Sequence, residues 1–117
     1  MARKKDTAVE TFLQLEIRAG RVVSAEPFPE ARKPAYRLTL DFGQPVGTLR
    51  SSAQLTRRYA PEDLVGSRIL AVVNFPARRI AGFASECLVL GVVNPDDPGD
   101  VVLVRPDAED TVGWELA

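Results

Sequence analysis

From Tyr36 to Phe42 apolar and polar residues alternate without a break, with Tyr36, Leu38, Leu40 and Phe42 on one side and Arg37, Thr39 and Asp41 on the other. A period of two is the mark of a strand with one buried and one wet face, so this segment calls for an antiparallel sheet over a single core. Its neighbours are short and have the same character. Ile17–Ala25 is strand-like, and Gly20 inside it suggests a bulge or a tight bend. Thr48–Ser52 returns after the Gly43–Gly47 turn, placing Arg50 on the polar face beside Arg37. Ile69–Val73, Cys87–Val93 and Val101–Val104 supply further β-rich apolar runs, separated by segments rich in Pro, Gly and Asp.

One stretch reads differently. Ala53–Tyr59 is the best short helix, with Ser51 or Ser52 as N-cap, Pro61 as a stop, and Leu55 and Tyr59 four apart facing the core. Five or six short strands with one helix between the third and fourth describe an all-β protein, a five-stranded barrel of the OB-fold kind with short terminal extensions. The 117 residues fit one domain, 1–117, in which 1–11 is a flexible start or a short helix.

Composition removes whole classes of chemistry. The chain has no histidine and one cysteine, Cys87, so histidine-based triads, histidine metal sites and disulfides within the chain have no residues to form them. No catalytic residue, metal or cofactor is expected. Asp96, Asp97 and Asp100 lack calcium-loop spacing and read as an acidic turn. No apolar run reaches the roughly 20 residues a membrane helix needs, so no membrane insertion is expected and the cytoplasm is the default compartment.

Net charge is only −1, yet it is unevenly spread. Residues 1–60 hold eleven Lys and Arg against six Asp and Glu, net +5, whereas residues 61–117 hold four against ten, net −6. A positive face on a mildly acidic protein arises if the fold brings Arg78 and Arg79 beside the basic half; otherwise these are solvated charges spread around a β-rich domain.

The stretch Asn74–Glu86 carries the most information about function. It sets Arg78 and Arg79 in a turn between two apolar runs, a basic hairpin tip presented by a rigid sheet. Two neighbouring arginines on one tip repel each other unless a partner or an acidic neighbour relieves them. Asn74 and Ser85 have a structural alternative, capping the turn or satisfying a nearby backbone donor. Glu86 repels phosphate, so its place beside a basic tip is to orient an arginine or to accept from a base edge.

The pattern of Asn74, three residues, Arg78-Arg79, Ile80 and a downstream Ser85-Glu86 before Leu88-Val89-Leu90 resembles the tRNA-binding-domain family of OB-folds. Within it the chain is similar to the small free-standing CsaA type, an export-related chaperone, in Phe12–Gly20, Phe28–Arg32, Asp41-Phe42-Gly43, Ser51–Gln54 and Val101-Val102-Leu103. What the resemblance implies is a non-enzymatic protein that recognises folded tRNA by shape. It also implies a homodimer offering two surfaces made of Asn74, Arg78, Arg79, Ser85 and Glu86, to which the polar-face reading adds Arg50 and Arg37. A pI near 5.5 implies modest affinity that falls with salt. The alternative is a chaperone that binds unfolded polypeptide segments through exposed Phe28, Phe75 and Phe83 with Arg78 beside them.

Overall fold

The alternating segment forms strand β2 (Tyr36–Asp41) in a computed structural model that describes residues 2–117. Tyr36, Leu38 and Leu40 point into the core, and Phe42 follows them with no exposed surface. Strand β1 (Ile17–Pro27) flanks β2 on one side and β3 (Thr48–Ala53) on the other, with pairs such as Ala25–Leu38 and Leu38–Ser51. The first half of β1 pairs instead with β4 (Arg68–Val72), and β4 pairs with the short β7 (Leu88–Val89). The order is β3-β2-β1-β4-β7, antiparallel throughout. Its two edges come back together where the Glu86 amide donates to the Arg50 carbonyl at 2.7 Å and Ser51 Oγ donates to the Cys87 carbonyl at 2.9 Å. A five-stranded sheet rolled until its edges meet is the expected OB-like barrel.

Serving two partners requires β1 to bend. The extra residue lies between Val22 and Ser24, where the register with β2 shifts, and not at Gly20. What Gly20 provides is space, since a Cβ there would come within 2.7 Å of the Phe42 ring; the missing side chain lets that ring close the end of the core.

The helix between the third and fourth strands is displaced from its expected position. Ala53 is the last residue of β3, and Leu55–Tyr59 makes a single turn closed by a 3.2 Å bond from the Tyr59 amide to the Leu55 carbonyl. The helix is α2 (Pro61–Leu64). Proline suits its first turn, and the Asp63 carboxylate accepts from the Ala60 amide at 3.0 Å, which outweighs the helix propensity upstream. Leu55 is buried and Tyr59 packs against the core as expected. Tyr59 also accepts at its hydroxyl from the Leu103 amide at 3.1 Å, and its carbonyl accepts from the Tyr36 hydroxyl at 2.7 Å.

Two hairpins stand outside the barrel sheet. One joins β5 (Arg78–Ile80) to β6 (Phe83–Ser85), and the other joins β8 (Gly91–Asn94) to β9 (Asp97–Leu103). The second replaces the long acidic turn expected over Asn94–Asp100: Asn94 pairs with Asp97, so only Pro95 and Asp96 turn the chain. At the N-terminus α1 (Val9–Leu13) buries none of its residues. The C-terminal segment runs beside β1, with the Ala19 amide donating to the Trp114 carbonyl and the Leu116 amide to the Ile17 carbonyl. Among the described residues no helix is long and apolar enough to cross a membrane.

Candidate nucleic-acid interface

The basic stretch takes up its conformation through a two-residue turn. Ala81 and Gly82 both have positive φ, 48° and 81°, so the turn follows the right-handed twist of the flanking strands. The arginines lie in β5 and not at the tip. Because successive residues of a strand face opposite ways, Arg78 shares a face with Ile80 and its cross-strand partner Ser85, while Arg79 faces the other way with Ala84. The repulsion expected of an arginine pair on one tip is relieved by this alternation. Arg79 Nη1 also donates to the Gly82 carbonyl at 2.9 Å.

The polar residues flanking the arginines fasten this hairpin to the barrel. Ser85 is buried, and its Oγ accepts from the Ser52 amide at 3.0 Å. Glu86 accepts from the Arg50 amide through Oε1 at 2.9 Å while its own amide donates to the Arg50 carbonyl, a reciprocal pair that fixes hairpin to β3. Asn74 accepts from the Glu16 amide and donates to the Gln14 carbonyl, both at 2.9 Å, and so ties the segment after α1 to the end of β4. Each of the three therefore has an intramolecular partner that sets the position of an arginine or of the N-terminal segment.

Arg37 and Arg50 emerge on the outer faces of β2 and β3, opposite Ser52 and Thr39. Between them lies an aromatic pair. Phe28 and Phe83 pack with ring centroids 5.3 Å apart at 60°. The Arg37 guanidinium sits 5.3 Å from the centre of Phe28, and that of Arg50 sits 4.3 Å from the centre of Phe83. Arg37 also forms an ion pair with Glu26 at 3.2 Å, without the alignment of a hydrogen bond. Phe28 and Phe83 are buried, contrary to the exposure expected of them; covering by the two guanidiniums removes both rings from solvent. Phe75 alone of the three is exposed.

A groove of about 780 Å³ opens on the Arg78 face of the hairpin. Leu55, Ile80, Leu88, Val93 and Val101 make it apolar, Phe75 and Arg78 line one side, and Ser52, Gln54 and Ser85 supply polar atoms. A smaller notch lined by Lys33, Thr56 and Arg57 adjoins it, with Gln54 and Pro98 common to both. Cys87 lies in the groove wall, where burial pushes its thiol up to about 12, so it is a neutral apolar group and no nucleophile.

Three other arginines are neutralised by acids. Arg18 meets Glu16 and Glu115, Arg57 meets Asp97, and Arg58 makes two bonds to Asp100 at 2.8 and 2.9 Å. Among the described residues Arg50 and Arg78 have no acidic partner, and neither do Arg32 and Lys33 in the loop between β1 and β2. The aromatic pair and the groove were not foreseen from the sequence. Phe28 and Phe83 lie far apart along the chain, and no local pattern signals that they meet.

A barrel that carries cations without acidic partners on β3, on the β5–β6 hairpin and in the loop between β1 and β2 defines a class of small binding domain. The chain belongs to the tRNA-binding-domain family as a CsaA-type member: the family described as "Putative tRNA binding domain" matches residues 17–115. The solved structure of the chaperone CsaA from Bacillus anthracis is 53% identical, with a TM-score of 0.90 over 97% of this chain and 100% of that one. The CsaA chaperone protein of Picrophilus torridus is 38% identical, with a TM-score of 0.87 over 96% and 100%. Among curated proteins, a methionine–tRNA ligase of Porphyromonas gingivalis is 36% identical over 112 residues, which is 96% of this chain but 16% of the enzyme.

Proposed function

We propose that this protein is a non-catalytic binder of folded tRNA, acting as a homodimer. The observation that carries the reading is that Arg50 on β3, Arg78 in the β5–β6 hairpin, and Arg32 and Lys33 in the loop between β1 and β2 are among the cations without acidic partners. Guanidiniums pair with phosphates and stack on bases, and a rigid sheet holds them at fixed spacing. Asn74, Ser85 and Glu86 serve this surface by positioning it, and Arg37 and Arg79 contribute from its edges. Net charge of −1 keeps long-range attraction weak, so affinity is modest and depends on the local cluster.

Replacing Arg78 by Ala, alone and with Arg79→Ala, tests the reading in a shift assay with folded tRNA at low salt. Arg78→Ala is expected to weaken binding several-fold with an unchanged unfolding midpoint, and Arg79→Ala to add little. Equal retention of tRNA and heparin by the wild type would reject it.

A second reading is favoured by the groove, whose apolar lining, exposed Phe75 and rim arginine suit an unfolded polypeptide segment. Similarity to two CsaA proteins described as chaperones supports it. Slowed aggregation of a denatured client that disappears in Val93→Glu is its expected outcome; an undiminished effect in that variant would remove the groove from the activity.

A further inference from the structure

We propose that Arg50 and Phe83 form a stacking platform for one unpaired nucleobase. The inference rests on the tRNA reading and specifies which feature of the RNA the face reads. Arg50 is exposed, its guanidinium has no acidic or carbonyl partner among the described residues, and it sits 4.3 Å over the centre of the Phe83 ring. A cation that served only to attract phosphate would gain most by extending into solvent. Here the ring holds the group down, and three further contacts hold the ring and the backbone. Phe83 is buried against Phe28, the Arg37 guanidinium lies 5.3 Å from the centre of Phe28, and the Arg50 amide and carbonyl are both bonded to Glu86. An arginine side chain ordinarily loses much rotamer freedom when it binds; this one is already ordered.

A guanidinium held on an aromatic ring offers two kinds of contact. Its open side accepts the π-face of a base, and its N–H edge remains free for a phosphate of the same strand. Every base has a π-face, so the platform selects for an unstacked base and against a paired one, with little preference among the four. The partner is therefore a loop, a bulge or a single-stranded end, whose bases are free to splay out.

The experiment compares two RNAs with equal numbers of phosphates, a stem with an unpaired loop and a blunt duplex, against wild type and Arg50→Lys. Lysine keeps the charge and loses the plane. The wild type is expected to prefer the loop-bearing RNA, and Arg50→Lys to lose about tenfold on that RNA and almost nothing on the duplex, with the same salt slope. A 2-aminopurine placed in the loop is expected to change its fluorescence on binding the wild type and not the variant. Equal loss on both RNAs, or no loss on either, overturns the platform while leaving tRNA binding intact. Absence of any binding of folded tRNA by the wild type overturns the tRNA reading itself.

Discussion

At the scale of single residues, the same side chains that mark the family in sequence prove to be holders of geometry. Asn74, Ser85 and Glu86 spend their polar atoms on backbone groups of Gln14, Glu16, Ser52 and Arg50. Their spacing was legible because these bonds need those residue types at those positions; their partners were not, because each lies more than 30 residues away in the chain. The direction of Arg78 and Arg79 was likewise hidden until the turn was located at Ala81-Gly82. That turn contains an identifiable local cost, since Ala81 at φ 48° places its Cβ in the left-handed region. Ala81→Asn, which gives the Asn-Gly pair such turns favour, is expected to raise the unfolding free energy by about 0.5–1 kcal/mol. A higher urea midpoint with an unchanged slope is the result that checks it.

At the scale of elements, β2, β3 and β4 were readable from alternation and apolar runs, because their side chains meet one core. The arm β8–β9 was readable only in its apolar parts, Gly91–Val93 and Val101–Leu103, which fall within the expected runs Cys87–Val93 and Val101–Val104. Pro98, Gly99 and three acids argue against a strand between these parts; Arg57 meets Asp97 and Arg58 meets Asp100 from outside the arm, and Asn94 reaches Asp100 within it. Arg58 chiefly, and then Asn94, hold the Asp100 carboxyl down at about 2, against an ordinary 3.8. The unfolded chain therefore binds the proton first as pH falls. The contribution of Asp100 is complete above about pH 3.8 and is lost as pH drops through about 2. Amide chemical shifts of Val93 and Val101 are expected to titrate with a midpoint near that lower value, and the step is expected to vanish in Asp100→Asn. Since Val93 and Val101 also line the groove, loosening the arm changes the groove's shape as well as the arm's order.

At the scale of the whole molecule, both terminal segments carry large apolar side chains without cover. Helix α1 buries nothing: Leu13 is 65% exposed, and Trp114 in the C-terminal segment is 63% exposed. Phe12 and Leu116 are exposed beside them in the chain. Both segments are anchored around the start of β1, α1 through the bonds of Asn74 to Gln14 and Glu16, and the C-terminus through Ile17 and Ala19. Large apolar side chains held in place by polar bonds, yet facing water, fit a surface completed by a second copy. A stable pair buries on the order of 1,200–2,000 Å² in total, which these two segments can approach only if both take part. Sedimentation at micromolar protein is expected to give twice the 12.8 kDa chain mass, and Leu13→Lys with Trp114→Ala to give one chain with an unchanged β-sheet spectrum. Pairing also bears on RNA binding. In the proposed homodimer two modest sites on one particle act at a shared effective concentration, so the monomeric variant is expected to bind tRNA at least roughly tenfold more weakly although Arg50 and Arg78 are untouched. A variant that sediments as one chain and binds as tightly as the wild type would mean that a single barrel suffices.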